Sequence, residues 1–422
     1  MRCHICALML IFAAVAESPA SESWPEYRGP SQNGHSDATG LPLSWSESEN
    51  VRWKTPIRGR AWSSPVIFGN QVWLTTATPD GKKMYAVCVS RESGTVVHNR
   101  LLFDVPEPRP LGNTVNSYGT PSPVIERGRV YISFGSYGTA CLDTVTAKTF
   151  WERRDLPCHH WRGPASSPYV YGDLLFLHMD GADHQYIVAL DKATGETVWR
   201  TGRSTDYGDL DENGQPKAGG DYRKAYNTPI VMRAAGGVQL ISPSAKAFYA
   251  YDPLTGKEIW QVRHPAHSTA ARPLFHEGLA ILSTGFSQTH LWAVKLDGRG
   301  DTTDTHVAWK VTKGAPKRCS PLLIDGLLYL CTDKGVVTCL DATMGKQVWQ
   351  LRIGGNHSAS PVYADGRIYF FSEEGETVVL KPGRTAVVLG KNQLDDGFMA
   401  SPAIVGKAFF LRTKTHLYRI EG

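Results

Sequence analysis

The chain has 422 residues, with 45 Lys and Arg against 40 Asp and Glu, a formal net charge of +5. That excess is small and dispersed, which speaks against nucleic-acid binding. Glycine (41), proline (26) and tryptophan (12) are abundant. No long helical periodicity is present, so an all-β fold of short strands and tight turns is predicted.

Residues 1–16 read as a secretory signal. Arg2 gives a positive start, Ile5 to Val15 is an apolar run, and Ala14-Val15-Ala16 is a small-residue cleavage site. The run is too short to span a bilayer and no later segment is long and apolar enough, so no transmembrane span is expected. The apolar run does not end in a lipid-attachment cysteine. The predicted destination is the periplasm or the exterior. Without residues 1–16 the charge is 44 − 40 = +4.

Residues 17–50 precede the first regular strand. Trp24-Pro25-Glu26-Tyr27-Arg28-Gly29-Pro30 and Leu41-Pro42-Leu43-Ser44-Trp45 read as an ordered arm on the surface of the domain formed by residues 51–422.

That domain is built from repeats. Ala189-Leu190-Asp191-Lys192-Ala193-Thr194-Gly195-Glu196-Thr197-Val198-Trp199 reads as a strand end, a tight turn and a second strand. The pattern returns at Tyr251–Trp260 and Leu340–Trp349, and in degraded form at Cys141–Trp151. A small residue followed by proline opens each unit: Ser64-Pro65, Ser122-Pro123, Ser167-Pro168, Thr228-Pro229, Ser320-Pro321, Ser360-Pro361 and Ser401-Pro402, with Arg272-Pro273 as a divergent eighth. The shorter spacings set a unit of about 40–45 residues, the length of a four-stranded propeller blade. Insertions at 104–118 and 201–224 account for the longer spacings. The last unit has only three strands, and Val51-Arg52-Trp53-Lys54-Thr55 supplies the fourth. An eight-bladed β-propeller is predicted, closed by the N-terminal strand completing the last blade. Trp53, Trp151, Trp199, Trp260, Trp309 and Trp349 then recur at one place and read as blade-packing residues. His98 and Val388 are assigned that place in blades one and seven.

In a propeller, the links from strand four of one blade to strand one of the next converge at one mouth of the channel. Here they carry Arg60 and Trp62; Asn116 and Tyr118; His160, Trp161 and Arg162; Lys224 and Asn227; His264, His267 and Arg272; Lys317 and Arg318; Asn356 and His357; and Asp395, Asp396 and Phe398. Polar and aromatic groups meeting at a concave mouth are a candidate binding site. Its mostly cationic character suits an anionic or polyhydroxylated ligand, and an unidentified protein or glycan is the other class of partner considered. No catalytic constellation of nucleophile, phosphate loop or zinc-protease type is recognised.

Asp209, Asp211 and Asn213 alternate like the opening of a calcium loop, but the closing Glu is absent. Cys158-His159-His160 lacks zinc-site spacing. Cys88, Cys141 and Cys339 share one repeat position and read as small buried residues. Cys331 and Cys339 flank one hairpin, and a disulfide between them stays open.

The repeated Ala-Leu-Asp-x-x-Thr-Gly-x-x-x-Trp element resembles the pyrroloquinoline-quinone (PQQ)-like repeat propellers. Trp24–Pro30, Cys158–Pro168 and Leu394–Pro402 are similar to the secreted PQQ-binding-like propeller proteins that are compared with BamB. The resemblance covers the whole of the chain after residue 16. It implies two functions. One is a monomeric, exported binding scaffold acting through its mouth loops without bound cofactor. The other is a PQQ- and Ca²⁺-dependent oxidoreductase acting on an alcohol or sugar. In the quinoproteins of that superfamily the quinone lies between a tryptophan and a disulfide of neighbouring cysteines. Neighbouring cysteines are absent after residue 16.

Overall fold

The computed structural model describes residues 22–235 and 237–422; the predicted signal segment lies outside them. Eight antiparallel blades follow one another around a ring. In blade three the strands are Tyr169–Tyr171, Leu174–Asp180, Gln185–Asp191 and Thr197–Gly202, running from the channel outward. The other blades repeat this order. The last is built from Ala403–Val405, Ala408–Arg412 and His416–Ile420, and its outer strand is Val51–Pro56. Val51 pairs with Ile420 and Trp53 with Arg419, so the chain's two ends close the ring and leave no open sheet edge between them.

Asp191 explains why the hairpin between strands three and four recurs. Its carboxylate accepts the backbone N–H groups of Ala193 (2.8 Å) and Thr194 (2.9 Å), an Asx-type turn that needs a positive φ at Gly195 to close. Asp143, Asp252 and Asp341 make the same bonds.

The glycine of that turn has a second duty. Trp199 lies across the turn of blade four, donating its indole N–H to the Pro253 carbonyl at 3.1 Å. A Cβ on Gly256 would stand 2.5 Å from the Trp199 ring. Trp53 lies the same way on Arg91 and Gly94, Trp151 on Lys192 and Gly195, and Trp309 on Ala342 and Gly345. Four blades therefore seat an indole on the bare Cα of the next blade's turn. Trp260 departs from the pattern. It is fully buried, donates to Gln239 (2.8 Å), and is covered by Gly300–Asp301, which extends its sheet.

In blade seven the register differs from the sequence reading. Gly390, not Val388, pairs with Val379 at the tryptophan place, because the turn of this hairpin is one residue longer than in blade three while the bulge falls at the same place. Leu43 of the N-terminal arm packs beside Gly390, and Asn392 ties the arm down through the Trp45 N–H (2.8 Å) and the Leu43 carbonyl (3.1 Å). In blade one His98 does take the place. It bonds to the Val145 carbonyl (3.1 Å), and the facing turn carries Ala147 at φ 55° where the others have glycine.

The smaller imidazole leaves room for that Cβ. His98→Trp alone should destabilise the fold by about 1–3 kcal/mol through overpacking. Adding Ala147→Gly should recover most of the loss, so the double-mutant cycle, measured by urea unfolding, should show a coupling of at least about 0.5 kcal/mol. Additive effects would refute the indole-on-glycine account.

Candidate functional site

The serines of the Ser-Pro pairs form a girdle around the channel. Ser64 N–H donates to Ser122 Oγ (2.9 Å), Ser122 to Ser167 (2.9 Å), and Ser167 to the hydroxyl of Thr228 (3.1 Å). Beyond a gap, Arg272 N–H donates to Ser320 (3.0 Å), Ser320 to Ser360 (2.9 Å), and Ser360 to Ser401 (2.9 Å). The two seams without such a bond hold buried arginines. Arg412 donates to the Ser63 carbonyl (3.0 Å) and hydroxyl (2.6 Å) between blades eight and one. Arg272 stands where the fifth blade's serine would be and reaches the Pro229 carbonyl at 3.5 Å.

Residues of the arm enter this girdle. Glu26 pairs with Arg272 at 2.9 Å, and Arg272 also donates to the Tyr27 carbonyl. Burial pushes the Glu26 carboxyl up while Arg272 pulls it down. Arg28, itself buried, donates to the carbonyls of Pro321 (2.8 Å) and Pro361 (3.3 Å). These bonds hold the Tyr27 hydroxyl 3.2 Å from Ser320 Oγ and 3.0 Å from Ser360 Oγ. The arm leaves along blade seven, where Ser36 N–H bonds the Tyr363 carbonyl and Leu41 N–H the Asp365 carboxylate. Asp365 lies in the turn between strands one and two, so the arm occupies that face of the ring and Tyr27 floors the channel.

On the opposite face lies a cavity of about 550 Å³. Its walls include Trp62, Asn116, Arg162, Lys224, His267, Lys317 and Arg318 from the inter-blade links. They also include Phe286 and Asp333 from loops between strands two and three, Asp221 and Tyr226 from the second insertion and its exit, and Tyr27 below. Four basic and two acidic side chains are in the lining. Arg318 is held by Asp333 (3.1 Å) and by Glu373 (2.9 Å), which raise its pKa against the effect of burial. Lys224 is buried against Asp221. Burial and the Arg162 guanidinium push its ammonium down to about 7, and the Asp221 carboxylate in contact works the other way. Arg162 and Lys317 form no ion pair among the described residues; Arg162 donates to the Gly112 carbonyl and Lys317 lies 4.7 Å over the Phe286 ring. Burial, Lys224 and Lys246 hold His267 down at about 4, so it is neutral at pH 7.

The remaining residues singled out from the sequence lie elsewhere. Arg60 stacks on Trp62 at 5.4 Å, outside the lining. Tyr118 is buried under the first insertion, bonded to the Arg109 carbonyl. His160 accepts the Ser136 N–H (3.1 Å), approaches Cys158 Sγ (3.5 Å), and is held at about 4 by burial. Trp161 packs over Gly219 of the second insertion. Asn227 donates to the Pro243 carbonyl and is fully buried. His264 sits between Phe248 and Trp292, and burial pushes it down to about 3. Asn356 is tied to Glu374 on the rim and His357 to the Gly354 carbonyl. Asp395 and Asp396 are exposed on the rim, facing Glu47 and Thr415 respectively. Phe398 is core, edge-on to Phe371.

The carboxylate of Asp209 is taken up by Arg223 (3.0 and 3.1 Å to Nε), and Asp211 caps the turn over Asn213 and Gln215. Among the described residues no three His, Cys, Asp or Glu side chains converge as a metal site. Cys331 and Cys339 are buried free thiols, paired across the sheet with Val337 and Tyr329 respectively.

The loops between strands two and three escaped the sequence reading. Strands alternate in direction, so those loops must share a face with the links from strand four to strand one. That rule would have brought Phe286, Asp333 and Glu373 forward. Tyr27 carried no signal of its own, because an arm's path through a ring leaves no periodicity.

Buried neutral histidines make the fold acid-labile. An unfolded histidine titrates near 6.5, whereas His264 stays neutral in the fold until about 3. Between those values the unfolded chain binds the extra proton, so stability falls as pH falls. His264→Phe should shrink the loss of stability between pH 7 and pH 5 by up to about 2 kcal/mol, read from urea midpoints. An unchanged pH dependence would assign the lability elsewhere.

The family model described as outer membrane protein assembly factor BamB matches residues 105–201 and 183–421. Among solved structures, the europium-containing methanol dehydrogenase superposes with TM-score 0.67 at 12% identity, covering 93% of this chain and 89% of that one. The quinohemoprotein alcohol dehydrogenase of Comamonas testosteroni gives 0.67 at 11%, covering 96% and 82%. BamB of Moraxella catarrhalis gives 0.56 at 11%, covering 87% and 99%. Identities this low carry the fold alone. No curated protein sequence matches the chain.

Proposed function

Because the chain belongs to the family of the outer membrane protein assembly factor BamB, a family of repeat propellers, we propose that it acts as an exported binding propeller that takes an anionic ligand into its mouth cavity. One observation carries this reading. The cavity is blind, floored by Tyr27, and Arg162 and Lys317 reach it without an acidic partner among the described residues. Low-dielectric walls concentrate the field of such cations. An anion bound there gains charge-assisted hydrogen bonds that water supplies less well.

A quinoprotein oxidoreductase acting on an alcohol or sugar is the second reading, favoured by the likeness of fold to the two dehydrogenases. The residues present do not fit the quinone site that the resemblance implies. Among the described residues no cysteine lines the cavity, and all six cysteines are buried single thiols. The acids in the lining, Asp221 and Asp333, are each engaged by a cation. No step through a quinone is therefore derived.

Titration calorimetry of the full chain with citrate tests the first reading. Citrate should bind, and raising salt from about 0.05 to about 0.3 M should weaken it. Replacing Arg162 and Lys317 together by Gln should weaken it at least about tenfold. Equal binding by the double variant would sink the proposed site. Reconstitution with PQQ and Ca²⁺ tests the second; quinone absorbance retained after gel filtration would overturn the cofactor-free reading.

A further inference from the structure

We infer, resting on the anion-binding reading above, that the ligand class is an acidic saccharide and that the cavity receives its chain end. Three features of the cavity point the same way.

The first is the floor. Ser122, Ser167, Thr228 and Ser401 each accept a main-chain N–H from the preceding blade. All four line the cavity. A hydroxyl that accepts from the backbone still has its own proton to give. Tyr27 covers the girdle only at Ser320 and Ser360, so this arc of hydroxyls faces the cavity as donors. Such a floor suits a ligand rich in oxygen acceptors.

The second is a pair of aromatic walls on opposite sides of the ring. Trp62 stands at the entry to blade one, its indole N–H fixed to the Val115 carbonyl at 2.8 Å. Phe286 stands in blade five and is 53% exposed. Both line the cavity. Phe286 carries the Lys317 ammonium over its ring at 4.7 Å within the lining, whereas Arg60 lies over the Trp62 ring at 5.4 Å from outside it. An exposed aromatic ring fixed beside a cation offers an apolar face next to a charge. That pairing matches a sugar ring, with its C–H face and an acidic substituent, better than it matches a bare anion.

The third is the closed end. The Glu26–Arg272 pair and the Arg28 bonds to Pro321 and Pro361 fix Tyr27 across the channel. A polymer cannot thread through, so the cavity admits an end.

The test uses the full chain and four probes: a short oligogalacturonate, its fully methyl-esterified form, citrate, and an oligogalacturonate several times longer. Calorimetry should show the short acidic chain binding at least about tenfold tighter than both its neutral ester and citrate. Trp62→Ala and Phe286→Ala should each weaken the acidic chain several-fold, and by a clearly larger factor than they weaken citrate. Phe286 is exposed, so its variant keeps the fold, and thermal unfolding checks both. The longer chain should bind the same number of protein molecules per chain as the short one. Citrate binding as tightly as the saccharide, with no effect of the aromatic variants, would overturn the saccharide assignment and leave the anion reading standing. Binding of neither anion would remove both. More protein molecules bound to the longer chain would refute end recognition.

Discussion

The bond from a main-chain N–H to the next blade's serine hydroxyl sets the geometry on which the rest depends. It joins the innermost strands at the channel, where backbone groups would otherwise lack partners. Proline follows at once, so the donor is the serine's own N–H and no ladder donor is wasted. The same bond turns the serine Oγ into an acceptor from behind and a donor in front. A structural girdle thus becomes a chemical surface. Its two breaks are closed by Arg412 and Arg272, whose long side chains span seams that a serine does not.

Arg272 shows how one departure from the repeat organises a second element. A serine there would continue the girdle. An arginine buried in the channel wall needs an anion, and Glu26 of the arm supplies it with the side chain of Arg272 fully buried. Removing either partner would strand a charge in a low-dielectric site, a loss of about 3–5 kcal/mol. The pair therefore specifies where the arm crosses the ring, and the arm's path decides that the channel is a blind cavity.

How much of this was legible in the sequence follows from what repeats. The blade count, the closing strand and the turn chemistry were legible because Asp191, Gly195 and Trp199 recur with fixed spacing. The exchange of Gly390 for Val388 at the tryptophan place was not, because the turn of blade seven holds one residue more and lacks the spaced Asp and Gly that mark the turn in blade three. The links do meet at one cavity. Which of their side chains turn inward was not legible. His264 and Arg318 both lie in links from strand four to strand one, yet one is enclosed by Phe248 and Trp292 and the other reaches the cavity. Local sequence does not encode that choice; the packing of the neighbouring blade does.

The two faces of the ring are under different constraints. On the turn face, an indole from each of four blades rests on a glycine of the next, and a Cβ at Gly195, Gly256 or Gly345 would stand within 2.7 Å of a ring. Little can change there without loosening a seam. The mouth carries no such repeated contact. Its loops differ in length, as the insertions at 104–118 and 201–224 show, and its cavity gathers single residues and small groups from all eight links and from two loops between strands two and three. The physical economy of the propeller lies in that division. Inter-blade packing is completed on one face and at the girdle, so the other face is free to vary in chemistry without cost to the ring. A binding function is therefore to be sought where the repeat breaks down, and in this chain that is the basic, aromatic and hydroxyl-floored cavity above Tyr27.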